Sequence, residues 1–321
     1  MMRRSAIGLI AALTVGCAVE QPPASDGAAP LNPLIALHEA ELPVFGLYAP
    51  SPGGGFARAG TTPPPPKSPA ERAAETLAYA QSDFVFDGSM ENGVDDALPA
   101  FTEFTSAMRA AGASARTHPF VVKAAKIESE EQAIRDISRQ LDAGVSGIMF
   151  VEVESAEEIR AGLSAMRYES TGGTRQDRVG SAPDYWGLDE AEYRQRADLW
   201  PLNPDGELIS WVIVESHEGL ANVREIAAVP GIGVLWPGAG TLRGLFSTTG
   251  EDGRRVLDQE RWEEAIQQVL AACMEFDVPC GYPANADDIE MRMAQGFSVF
   301  VMGWGESGFA TVEKGHELAG R

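Results

Sequence analysis

The sequence predicts an α/β fold, a (β/α)₈ TIM barrel built as a single domain, and three observations carry that expectation. Short apolar runs alternate with amphipathic segments from residue 44 to the end of the chain, and eight such runs can be counted. Several of the runs stop on a charged residue, as strands do when their carboxyl ends open onto a ligand-binding face. The third observation is length: the chain has 321 residues, enough for one large α/β core. An open doubly wound sheet is the alternative, but its strand number is usually about six.

Before the first strand the chain reads as two non-globular segments. Residues 1–17, MMRRSAIGLIAALTVGC, pair Arg3 and Arg4 with an apolar stretch from Ala6 to Val15 and a small residue before Cys17. That is the plan of an export signal, and it is shorter than the roughly 20 apolar residues of a membrane span. Leu13 to Cys17 resembles a bacterial lipoprotein cleavage box, which would make Cys17 a lipid anchor. The implied location is the periplasm or a lipid-anchored position at a bacterial membrane. Residues 18–33, rich in Pro and Ala, read as a flexible tether, and the domain is expected over 34–321.

Within the domain, Val44 to Tyr48 is the first strand, followed by a Gly- and Pro-rich loop that includes Gly53 to Gly55 and Pro63 to Pro66. Ser68 caps a helix to Ala80, with Pro69 at its first position. Phe84 to Phe86 is a strand ending at Asp87, Val94 to Ala111 a helix, and Phe120 to Val122 a strand ending at Lys123. A helix from Ser129 to Ala143 leads to the strand Gly147 to Val151, which ends at Glu152; Ala156 to Met166 is helical. Arg167 to Asp205 is an irregular insertion holding Trp186, Tyr193 and Trp200. Ile209 to Val214 is an apolar run suited to a strand buried on both faces, and it stops at Glu215. Glu218 to Ala228 reads as one helix and Ile232 to Trp236 as a strand entering a Pro-Gly-Ala-Gly loop. Helices Arg261 to Phe276 and Asp287 to Gln295, strands Gly281 to Tyr282 and Ser298 to Met302, and a helix from Ala310 complete the pattern.

Charge and cysteine content narrow the function classes. The net charge is −22 and the isoelectric point about 4.5, so a nucleic-acid partner is not expected. Cys273 and Cys280 lack metal-ligand spacing. They read as free core thiols, a disulfide being the alternative if their Cα atoms come within about 7 Å. Asp87, Lys123, Glu152 and Glu215 each close a different strand. Any one of them is explained by loop solvation alone, but four in succession point to a polar or metal site, and one divalent cation on carboxylates is its natural occupant. The aromatic residues of the insertion fit a ring-binding cleft or, more simply, packing against the barrel.

SAEEIRAGLSAMRY (Ser155 to Tyr168), WVIVESHEGLANVREI (Trp211 to Ile226) and the turn at Pro237-Gly238-Ala239 resemble the HpcH/HpaI aldolases, metal-dependent 2-oxo-acid aldolases related to citrate lyase β subunits. So do Pro43 to Tyr48, FDGSMEN, PFVVK and LDAG, in order, over roughly residues 31 to 315. The resemblance implies a lyase that cleaves or forms 4-hydroxy-2-oxo acids through a pyruvate enolate, with a small 2-oxo acid and an aldehyde as partners. It implies Mg²⁺ or Mn²⁺ on Glu215, whose family partner, an Asp on the next strand, is here Thr241 or no acid at all. Glu152, where the family is apolar, is read as the replacement ligand; the alternative is that it turns outward or pairs with Lys123. Lys123 falls on the family's catalytic Arg, and Asp142 on a further catalytic Asp. Asp87-Gly88-Ser89-Met90 stands for an Asp-Gly-Glu-His turn, so Asp87 keeps its place and the His is lost. Gly238, Ala239 and Thr241 fall at the substrate-binding turn, and the C-terminal helix, Met302 to Leu318, on the surface through which the family forms homo-oligomers. The competing expectation is a barrel that has lost its reaction and binds a small acid or a partner at the cell envelope.

Overall fold

The computed structural model describes residues 29–53, 65–251 and 253–321. The signal expected over 1–17, Cys17, most of the tether and part of the Gly/Pro-rich loop lie outside the described residues. Eight parallel strands form a curled sheet: β1 (Val44–Tyr48), β2 (Phe84–Asp87), β3 (Phe120–Lys123), β4 (Gly147–Phe150), β5 (Leu208–Val214), β6 (Val234–Pro237), β7 (Gly281–Tyr282) and β8 (Val299–Met302). Ladders run β7–β8–β1–β2–β3–β4–β5–β6, every pair parallel. The two ends of that series meet at one isolated parallel bridge, Leu235 to Cys280, where the Leu235 N–H donates to the Pro279 carbonyl at 2.9 Å. The fold is therefore a TIM-like curled parallel sheet wrapped in helices.

Two apolar layers follow from the two faces of these strands. The outer one lies between the sheet and its helices. The inner one gathers Phe84, Phe86, Met149, Trp211, Trp236 and Val301 inside the curl. Large rings fit there because glycines face them: a Cβ at Gly281 would stand 1.7 Å from the Trp236 ring, and one at Gly46 would stand 2.1 Å from the Phe84 ring. A helix at Pro33–Glu39 sends Leu34 and Ile35 into the same inner layer and so plugs the amino-terminal end of the sheet. Glu207 holds that plug, its two carboxylate oxygens accepting from the backbone N–H groups of Leu31 and Asn32, each at 2.8 Å.

The helices differ from expectation in a few places. The segment read as one helix from Glu218 to Ala228 is two, His217–Ala221 and Val223–Ala227. Asn222 separates them, and its side-chain amide donates to the Glu154 carbonyl at 2.8 Å. The last helix starts earlier, at Glu306, and residues 239–245 form a short helix the pattern did not signal. Cys273 and Cys280 were expected to be free thiols and are instead joined by a disulfide, with Cα atoms 5.7 Å apart. The turn between the helix Gln259–Glu275 and β7 folds back on itself, which brings the last turn of one against the start of the other.

The insertion packs at the amino-terminal end of the sheet. Trp186 and Tyr193 are buried with their rings edge to face at 5.0 Å, and the Trp186 indole N–H donates to the Gly144 carbonyl at 3.1 Å. Plain packing, rather than a ring-binding cleft, accounts for these two aromatics. Trp200 is partly exposed and stacks on His38 with centroids 5.5 Å apart.

Candidate active site

The carboxyl ends of the strands open onto two adjoining cavities. An inner one of about 210 Å³ sits over the apolar interior, lined by Lys123, Glu215, Trp236 and the turn Gly238 to Thr241. A side cavity of about 620 Å³ lies over β1, β2 and β3 and includes Lys67, Arg72, Asp87, Ser89 and Glu91. Tyr48, Phe86 and Lys123 line both, so the two communicate at the mouth of the curl. Burial, with the neighbouring Glu91, Asp87 and Glu215 carboxylates, raises the Tyr48 phenol above its ordinary range; Lys123 pulls the other way.

Lys123 is placed by its strand and by its own backbone. Its carbonyl accepts from the Gln140 side-chain amide at 2.9 Å, and its Nζ reaches Glu91 at 2.8 Å with the side chain only 15% exposed. Met90, which stands where the resemblance expects a His, is fully buried with its sulfur 3.6 Å from the same Gln140 amide. It supplies no proton-transfer group. Asp87 closes β2, and its Oδ1 accepts from the Ser89 N–H at 2.8 Å while Oδ2 lies 3.6 Å from Arg72 Nη2.

Glu215 is buried at the mouth and needs the glycine opposite it. A Cβ at Gly238 would come within 2.3 Å of the Glu215 Cβ, so a larger residue would push the carboxylate away. Its Oε1 accepts from the backbone N–H of Glu152 at 3.1 Å. Glu152 itself has φ of 51°, an uncommon left-handed conformation for a residue with a side chain. That conformation turns its carboxylate out to Lys126, 3.8 Å away and 55% exposed, so Glu152 serves Glu215 through its amide alone.

The expected metal pair therefore does not form. Glu152 and Glu215 do not present two carboxylates to one point, and among the described residues no group of three or more His, Cys, Asp or Glu is arranged to hold an ion. Mg²⁺ or Mn²⁺ chelated by both acids does not fit these residues. Asp142 is also away from the mouth. It ends the helix Glu130–Asp142 beneath the insertion, where Arg178 Nε at 2.9 Å and Arg175 Nη2 at 3.3 Å hold it. The structure thus brings together Asp87, Lys123, Glu215, Gly238, Ala239 and Thr241, and leaves Asp142 and the Glu152 carboxylate outside.

Arg72, Tyr48 and Glu91 were missed by the sequence reading. Arg72 had a legible signal: it shares the sheet-facing side of the helix Pro69–Ala78 with Ala73 and Thr76, an odd place for a charge unless something polar lies under it.

The comparisons agree with this fold. The chain matches a hydroxypyruvate/pyruvate aldolase of Paraburkholderia phytofirmans at 31% identity over 183 residues, which is 56% of this chain and 64% of that protein. The match thus spans just under two thirds of that relative's length. A second hydroxypyruvate/pyruvate aldolase, from Delftia acidovorans, is 29% identical over 274 residues and 83% of each chain. Among solved structures, a HpcH/HpaI aldolase/citrate lyase family protein from Burkholderia cenocepacia superposes with a TM-score of 0.62 at 23% identity, covering 85% of this chain and 92% of its own. The family model HpcH/HpaI aldolase/citrate lyase matches residues 67–304, and the chain belongs to that family.

Proposed function

We propose that the protein is a carbon-carbon lyase that cleaves or forms 4-hydroxy-2-oxo acids at the inner cavity, through an enolate of the 2-oxo-acid half. The observation that carries this reading is the pairing of one ammonium, Lys123, with one carboxylate, Glu215, on the same small cavity at the strands' carboxyl ends. In the cleavage direction the Glu215 carboxylate takes the proton of the 4-hydroxyl. The bond between C3 and C4 then breaks to release the aldehyde, and its electron pair moves to the C2 oxygen as an enolate. Lys123 holds that oxygen by charge, in a site partly closed to water where such an interaction is strongest. Protonation of C3 completes the 2-oxo acid. No step is routed through a metal, because the expected pair of ligands does not assemble.

The test is release of pyruvate from a 4-hydroxy-2-oxo acid, read by a lactate dehydrogenase couple. Turnover is expected, and its absence over a panel of chain lengths would remove the reading. One observation favours the runner-up, a barrel that binds a small acid without reaction: Met90 replaces a proton-transfer residue and is sealed in the core.

Three further readings belong with this proposal. The eight strands are taken as a (β/α)₈ barrel whose last seam is one bridge wide. Export is supported by the signal-like residues 1–17 and by the Cys273–Cys280 disulfide, since such bonds persist in oxidising compartments. Lipid anchoring at Cys17 predicts palmitate labelling that Cys17→Ala abolishes; equal labelling of both would remove it.

A further inference from the structure

The side cavity holds a buried guanidinium whose binding capacity is unused. Arg72 is 8% exposed and donates once, from Nε to the Pro50 carbonyl at 2.8 Å. Its guanidinium lies flat over the Phe104 ring, 4.1 Å from the centroid, which fixes its plane. Asp87 Oδ2 stands 3.6 Å from Nη2, a charge contact beyond hydrogen-bond length, and the two terminal nitrogens donate no hydrogen bond among the described residues. A buried guanidinium left with free N–H groups beside an open cavity is set for an acceptor that arrives from outside.

The charge around it has the same sense. The lysines of the chain are Lys67, Lys123, Lys126 and Lys314. Two of them, Lys67 and Lys123, line this one cavity with Arg72, although the chain as a whole carries −22. Against them the cavity wall sets Asp87 and Glu91, so the balance is one positive charge. That balance suits one monoanionic group, and the planar fork of an Arg suits a carboxylate.

We propose that the side cavity is a second carboxylate subsite and that Arg72 is its anchor. The substrate class is then a dianion: a 2-oxo acid reacting at Lys123 and Glu215, whose aldehyde-derived half ends in its own carboxylate at Arg72. This rests on the lyase reading for the reacting end only.

Binding tests it without turnover. Glutarate and butyrate differ by one terminal carboxylate, and calorimetry on the wild-type protein is expected to give glutarate at least about tenfold the affinity of butyrate. Arg72→Gln should bring the two within about twofold, and Arg72→Lys should restore part of the difference. Equal affinities in the wild type, or an undiminished preference in Arg72→Gln, would overturn the subsite. Inorganic phosphate displacing glutarate at equal concentration would overturn the carboxylate assignment. Should Arg72→Gln fail to fold, Lys67→Gln reads the same cavity from its rim and is expected to lower the preference by about threefold; no change there would count against the proposal. A protein that keeps the preference but releases no pyruvate loses the lyase reading and retains the subsite. Lyase activity with no preference between succinic semialdehyde and butanal as acceptors does the reverse.

Discussion

Arg72 and Arg175 are both buried arginines with unused nitrogens, and they sit at opposite ends of the sheet. Arg175, in the insertion, has a side chain with no exposure; its Nε and Nη1 have no partner and no access to solvent. Its charge is met by Asp142 at 3.3 Å, by the Tyr193 hydroxyl at 3.1 Å and by the Tyr168 ring, 4.4 Å below the guanidinium. Arg72 has one carbonyl, one distant carboxylate and a cavity. The same residue type is thus a closed packing element at the amino-terminal end and an open one at the mouth. What separates them is whether the spare N–H groups face protein or space.

That contrast predicts different losses. Arg175→Ala removes one partner of a buried charge pair and leaves a gap between two tyrosines. It should cost about 3–5 kcal/mol in denaturant unfolding while kcat and KM of the folded fraction stay within about twofold. A loss under about 1 kcal/mol would mean that the pair is not the structural element described. At the mouth the balance reverses. Glu215→Gln should lower kcat by about a hundredfold, in the range of a lost general base, and change the midpoint of thermal unfolding by less than about 3 °C.

A smaller effect separates the two ends by pH. Burial lowers the His38 imidazole from 6.5 to about 4; the residue is part-exposed, but its Nε2 is sealed and unpartnered. A depressed folded pKa means the unfolded chain takes the proton first. The contribution is complete above about pH 6.5 and is lost as the pH falls through the window down to about 4, up to ~3 kcal/mol at the bottom. His38→Phe, which keeps a ring on Trp200, should flatten the fall in unfolding midpoint between those values. An unchanged pH profile would contradict a neutral His38 in the folded protein. The smallest expected effect is at the rim: Glu152→Gln keeps the amide that holds Glu215 and should leave kcat/KM within about twofold, whereas a hundredfold loss would return its carboxylate to the site.

Much of this was legible in the sequence. Runs such as FVFD, FVVK and LISWVIV place strands by composition, and their terminal Asp87, Lys123 and Glu215 come together because parallel strands end on one face. Which way a rim side chain turns was not legible. Glu152 was read as a ligand from its position in the chain, and a φ of 51° decides otherwise. Asp142 was carried over from a matched segment, but it closes a helix at the far end of the sheet, where two arginines of the insertion claim it. The disulfide depended on how tightly residues 276–279 turn, and seven residues of separation allow either outcome. Arg72 was hidden by a pattern that reads any residue on a helix's buried side as packing.

The central claim is that Lys123 and Glu215 generate an enolate in the inner cavity. Exchange of the pyruvate methyl protons for solvent deuterium, followed by proton NMR, reports that step without needing an aldehyde. The wild-type protein is expected to catalyse the exchange and Lys123→Met to lose it by at least about a hundredfold, in line with removing one group that stabilises a developing oxyanion. No exchange by the wild type, or equal exchange by Lys123→Met, would contradict the account.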